Sequence, residues 1–153
     1  MPPTPRNVTL EIESVAVDEG PGLAEIRAKA MKPSLEALGR FDEERVRGRF
    51  LETFVPSETK KLTENGQLVG FFVIRHKPDH VHLDHLYVDP DMQSRGFGAQ
   101  VIAWTKEISL DVDLPIRLSA LKGSRSNDFY LSHGFVETHE TEFDIHYEWS
   151  HHK

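Results

Sequence analysis

The sequence contains no cysteine. That excludes a disulfide framework, a thiolate zinc site and a cysteine nucleophile. It contains no apolar run near the roughly 20 residues that span a bilayer. Its first residues, Met1-Pro2-Pro3-Thr4-Pro5-Arg6, lack the apolar segment of a secretion signal. Positive charge is scarce: 18 Lys and Arg stand against 25 Asp and Glu, a formal charge of −7. A surface that holds nucleic acid by its phosphates is therefore not expected. These absences together lead to the expectation of a soluble, cytoplasmic protein with neither nucleic acid nor membrane as partner.

What is present suits one globular domain over residues 1–153, with 38% hydrophobic and 28% charged residues. Residues 1–7 are proline-rich and read as flexible or extended. Val8, Leu10 and Ile12 alternate with polar residues, as a half-buried strand does. Asp18 to Gly22 reads as a turn. Leu23, Ile26 and Ala30 then take up helical spacing, and Pro33 is expected to end or bend that helix, leaving a short piece from Ser34 to Gly39. Asp42 suits the cap of a second helix whose inner face is Val46, Phe50 and Phe54. Lys60 to Thr63 and Leu68 to Arg75 read as strands joined by the hairpin signal Asn65-Gly66. The run Phe71-Phe72-Val73-Ile74 predicts burial on both faces. His80 to Val88 is a further strand. A helix from Ala99, a strand from Ile116 to Leu121, a short helix from Ser124 to Ser132 and a closing antiparallel pair complete the order. The helix between the strands at 80–88 and 116–121 predicts that those two are parallel. The class is mixed α/β (α+β).

The most informative stretch runs from Leu86 to Ala99. A strand ends at Val88 and is stopped by Asp89-Pro90-Asp91. Gln93-Ser94-Arg95-Gly96-Phe97-Gly98 then leads into a helix. Amide groups at a helix N-terminus lack internal partners and favour an anion, and glycine lets a phosphate approach the main chain. Arg95 can add a charge-assisted contact. Neither common nucleotide loop fits. No lysine and Ser/Thr follow the glycines, and Val101 stands where a third dinucleotide-loop glycine belongs.

Gln-x-x-Gly-x-Gly/Ala after a Val-Asp-Pro strand end resembles the acetyl-CoA loop of the GNAT N-acetyltransferases. Phe129-Tyr130-Leu131-Ser132-His133-Gly134-Phe135 is similar to a second motif of that family, and Ala30 to Leu38 with Phe41-Asp42-Glu43-Glu44 resembles its acceptor-side helices. The resemblance covers nearly the whole chain. It implies a central, mostly antiparallel sheet with one splayed parallel pair, helices on both faces, and acetyl-CoA as co-substrate without a metal. The pyrophosphate would lie on the main chain of Gln93, Ser94, Arg95, Gly96, Phe97, Gly98 and Ala99. Leu86, Tyr87 and Val88 would line the pantetheine arm, with the Val88 amide facing the thioester carbonyl. Tyr130 matches the tyrosine that protonates the leaving sulfur, and a phenol is protonated at neutral pH. The family asparagine, six or seven residues before that tyrosine, is replaced here by Ser124 or Gly123, and Asn127 lies only three residues before Tyr130.

An attacking amine must first lose a proton. His82 and Asp84, on one face of a regular strand, are the candidate bases; His85 would face the other way. A bulge would reset this. Many family members use a water chain instead. The acceptor is expected to be a small primary amine, mildly favoured to be cationic by the net charge. Nothing in the chain excludes a homodimer. Two other readings stand against this one. The first is a non-catalytic acetyl-CoA sensor on the same fold. The second is a zinc hydrolase, because His80-x-His82-x-Asp84-His85 matches the zinc motif of the metallo-β-lactamase-type enzymes.

Overall fold

The computed structural model describes residues 10–92 and 96–151. Of the strand expected at Val8 to Ile12, the described part is β1, Leu10–Ser14; residues 1–9, Val8 among them, lie outside the described residues. Two helices follow, α1 over Gly20–Ala37 and α2 over Glu43–Glu52. A meander comes next: β2 Thr59–Glu64, β3 Gln67–His76 and β4 Val81–Val88. Then come α3 Phe97–Val112, β5 Ile116–Leu121, α4 Ser126–Ser132, β6 Val136–Glu140 and β7 Asp144–Trp149. The strands form one seven-stranded sheet in the order β1-β2-β3-β4-β5-β7-β6. All neighbours are antiparallel except β4 and β5, which are parallel as expected.

Local chemistry accounts for most of these elements. Asn65 and Gly66 both adopt positive φ, +52° and +80°, which the tight β2–β3 hairpin requires. The Asp42 carboxylate accepts the Arg45 amide at 2.9 Å and caps α2, a contact worth about 1 kcal/mol. Two prolines lie within α1, which corrects the expected turn at Asp18 to Gly22 and the expected separate piece from Ser34 to Gly39. Pro21 opens α1 in its first turn, where no intrahelical N–H is needed, so the expected turn at Asp18 to Gly22 is partly helix. Pro33 sits inside α1, which continues through it to Ala37. Pro33 has no N–H for the Lys29 carbonyl, yet the packing of α1 on α2 and the sheet keeps both halves helical.

The sheet is covered on both sides. Phe72, Ile74, Val81, Leu83, Val101 and Ile102 pack together on the α3 side. Leu23, Ala24, Ile26, Phe50, Phe71 and Val73 pack together on the α1–α2 side. Val69 to Ile74 are all buried, because β3 lies at mid-sheet between these two layers.

Two irregularities position the site. Val73 pairs with His85 and Ile74 with Leu83, so Asp84 is an extra residue in β4, a β-bulge. His82 pairs with Arg75, two residues from Val73 on β3. The bulge therefore brings His82 and His85 to the same α1–α2 face, which corrects the expectation for a straight strand. The second irregularity is the parallel pair. β4 and β5 share only the rungs Val81↔Ile116 and His82↔Arg117, whereas all six residues of β5 pair with β7. From Leu83 to Val88, β4 diverges from β5 and leaves a gap in mid-sheet.

Candidate active site

The gap is flanked by two cavities. The larger, about 800 Å³, lies between α1, α2, the end of β4 and the β5–α4 connection. The smaller, about 350 Å³, lies between the end of β4 and the first turns of α3 and α4. Leu86, Val88, Arg125, Ser126 and Tyr130 line both. These residues form the place where groups held in the two cavities can meet.

At the end of β4 the chain is fixed from both sides. The Asp89 amide donates to the Val69 carbonyl at 2.8 Å. Strand backbone groups alternate in direction, so the Val88 amide is turned toward β5 and the gap. Asp89 Oδ1 accepts from the Asp91 amide and from Lys29 Nζ, each at 3.0 Å, and Asp91 takes a second contact from Lys29 at 2.8 Å. Burial opposes charge on Asp89, but the Asp91 amide and the Lys29 ammonium outweigh it and hold the carboxyl below its usual range. The strand end is thereby tied to α1.

Gln93, Ser94 and Arg95 lie outside the described residues. Gly96, Phe97, Gly98 and Ala99 line the smaller cavity. Gly96 has φ +82°, and α3 starts at Phe97, two residues before the expected Ala99. A Cβ on Gly98 would lie 3.1 Å from the Phe129 ring, so this glycine lets α4 close on α3. No acidic residue stands in the first turn of α3, which leaves its amide dipoles without an internal counter-charge.

Tyr130 is 6% exposed and packs on Phe129, Phe135 and Tyr147, with ring centres 5.4, 5.7 and 6.2 Å away. Burial pushes its phenol well above the usual range, so it keeps its proton. Tyr87 lines the larger cavity, and its hydroxyl donates to the Met31 sulfur at 3.4 Å. Ser124 also lines that cavity. Asn127 lines neither. Its amide nitrogen donates to the Leu121 and Ser124 carbonyls at 2.9 and 3.0 Å, and its oxygen accepts from the Tyr147 hydroxyl at 2.7 Å. It holds the connection that presents Ser124.

Asp84 and His85 line the larger cavity; His82 does not. The Asp84 carboxylate accepts from Arg75 Nε at 2.7 Å, with His82 Nε2 at 3.8 Å and His85 Nε2 at 3.7 Å. Burial works against its charge, but His85 and Arg75 more than compensate and lower it. Burial lowers His82, and it lowers His85 to about 4. All three groups are therefore unprotonated at neutral pH, able to accept a proton though weakly basic. His85, wedged among Phe50, Phe71 and Tyr87 with a buried Nδ1 that has no partner, is the site residue a straight-strand reading misses. Arg27 is the other, and periodicity offers no signal for it. Among the described residues no group of three or more His, Asp or Glu side chains is arranged to hold a metal ion. No helix among them is long and apolar enough to cross a membrane.

A sheet with one splayed parallel pair, a glycine-led helix beside the splay and a buried tyrosine facing it together define an acyl-transferase architecture. The sequence profile of the acetyltransferase (GNAT) domain matches residues 29–149, and the chain belongs to that family. Its fold is shared with the PaiA N-acetyltransferase of Thermoplasma acidophilum, solved in complex with coenzyme A. That likeness has a TM-score of 0.77 and 18% identity over 94% of this chain and 99% of that one. YjaB of Escherichia coli gives 0.74 and 18%, covering 92% of this chain and 97% of that one. The ribosomal-protein-S18-alanine N-acetyltransferase of Escherichia coli gives 0.66 and 20%, covering 92% and 93%. No curated protein sequence is significantly similar to the chain. At these identities the solved structures establish the fold alone.

Proposed function

We propose that the chain transfers an acetyl group from acetyl-CoA to the primary amine of a small molecule by direct attack. The observation that carries this reading is the junction of the two cavities at Leu86, Val88 and Tyr130, where β4 leaves β5. The donor fits the smaller cavity. The amides of Gly96, Phe97, Gly98 and Ala99 suit its pyrophosphate, with Gln93, Ser94 and Arg95 completing that loop. Leu86 and Val88 offer main-chain groups to the pantetheine arm. The Val88 amide stabilises the oxygen that gains charge when the amine adds to the thioester. Tyr130, kept protonated by burial, gives its proton to the departing thiolate. Asp84, alone or through water, receives the proton of the amine, with His82 and His85 beside it. Ser124 supplies one hydroxyl in place of the family amide.

Acetyl-CoA at a hundredfold excess over its Kd should stabilise the protein by about 2.7 kcal/mol, a rise of roughly 5–10 °C in Tm. Acetyl-dependent thiol release with an amine panel, and mass analysis of the product, then separates an enzyme from an acetyl-CoA sensor. No thermal shift with any acyl-CoA at millimolar concentration would sink the reading.

A further inference from the structure

Arg27 sits on α1 at 8% exposure and lines the larger cavity. One of its terminal nitrogens donates to the Val46 carbonyl on α2, and its guanidinium carbon lies 5.9 Å from the centre of the Tyr87 ring. Its Nε is buried without a partner. Among the described residues no carboxylate pairs with it, although the chain holds 25 acids. A buried charge without a counter-ion is costly; the Val46 carbonyl and the Tyr87 ring offset part of that cost, and an anion in the cavity would offset more.

The surrounding wall carries an excess of the same sign. Arg40, Arg45 and Arg49 also line this cavity, and among the described residues none of them has a carboxylate partner. Arg40 instead lies over the Phe143 ring, 3.9 Å from its centre. Asp42, Asp84 and Asp144 face the cavity too. Asp84 is already engaged by Arg75 at 2.7 Å, which leaves Asp42 and Asp144 against Arg27, Arg40, Arg45, Arg49 and Arg125. The cavity is therefore cationic in a chain whose formal charge is −7. This opposes the expectation, drawn from net charge, of a cationic acceptor.

We propose that the amine acceptor also carries a carboxylate, and that Arg27 binds it. This inference rests on the transferase reading above. A single buried guanidinium balances one unit of negative charge, and its planar fork matches a carboxylate in two parallel hydrogen bonds. Arg40, Arg45 and Arg49 attract such an acid to the mouth. The acceptor is thus of the amino-acid class, its amine at the Val88–Tyr130 junction and its acid group toward α1.

The test uses amino acids of graded amine-to-carboxylate spacing, each matched with the primary amine of equal length that lacks the carboxylate. At least one amino acid should exceed its partner about tenfold in kcat/KM, the size of one charge-assisted contact. Arg27→Met should collapse that ratio by raising KM for the acid, and Arg27→Lys should restore it in part. Arg27 also ties α1 to α2, so Arg49→Gln, at an exposed position, provides a second variant whose KM for the acid should rise several-fold. The acetyl-CoA thermal shift of each variant reports folding and donor binding. Equal or better acetylation of the carboxylate-free amines, polyamines or aminoalkyl phosphates would overturn the proposal. So would variants that weaken acetyl-CoA while leaving the acid's KM unchanged, because the arginines would then serve the donor. Absence of any acetyl-CoA shift in the wild type would remove the transferase reading itself, a distinct failure.

Discussion

Tyr130 and His85 show how burial sets a residue's use. Burial raises the phenol and lowers the imidazole, because in both cases it disfavours the charged form. Tyr130→Phe removes only the hydroxyl. It should lower kcat by at least about 100-fold if protonation of the thiolate limits the rate, with the acetyl-CoA thermal shift retained. An unchanged single-turnover rate would make Tyr130 purely structural. His85 has a consequence in pH. Its folded value is about 4, below its ordinary 6.5. Between these values the unfolded chain binds a proton that the folded chain refuses, so stability is full above 6.5 and falls as pH drops toward 4. The loss is on the order of 3 kcal/mol. In His85→Phe, which fits the aromatic surroundings, Tm should fall less between pH 6.5 and 4 than in the wild type. Parallel pH–Tm curves for the two proteins would refute this.

At the scale of elements, α1 and β4 are where sequence and structure part. The hairpin at Asn65-Gly66, the Asp42 cap and the buried run of β3 were legible because each is set by a few adjacent residues. The helix-start glycines were legible from their place after a strand end, and the tyrosine motif only from its resemblance to the family's. The bulge at Asp84 was not, since it exists only relative to the register of β3. The cationic wall was hidden for a similar reason: Arg27, Arg40, Arg45 and Arg49 are mixed with acids along the chain, and only the fold sorts them onto one side. Of the two outcomes expected at Pro33, an end is excluded, because tertiary packing carries α1 past a residue that would stop an isolated helix. Restoring the missing donor with Pro33→Ala should stabilise the protein by about 1–3 kcal/mol in denaturant melts. Ala30, Met31 and Ser34 face the larger cavity beside it, so acceptor KM should change while acetyl-CoA affinity does not. A loss of stability would mean that the proline fits its position better than alanine does.

For the molecule as a whole, the seven-stranded sheet is unequally supported. β3 and β4 lie at its centre under helices on both faces, whereas β6 is an edge strand exposed at all five positions. Hydrogen exchange should be slowest in Val69 to Ile74 and far faster in Val136 to Glu140; similar protection in both would contradict this picture. The same sheet is interrupted in its middle, and the two cavities approach that interruption from different sides. Under the proposed function each substrate has its own doorway, so neither must pass through the other's chamber and neither order of arrival is imposed. In the direct attack proposed above no acyl group rests on the protein between half-reactions, so both substrates must be present together. Initial-velocity lines in a double-reciprocal plot should then intersect rather than run parallel. Free coenzyme A should compete with the donor but not with the amine, the kinetic signature of a gap entered from two ends.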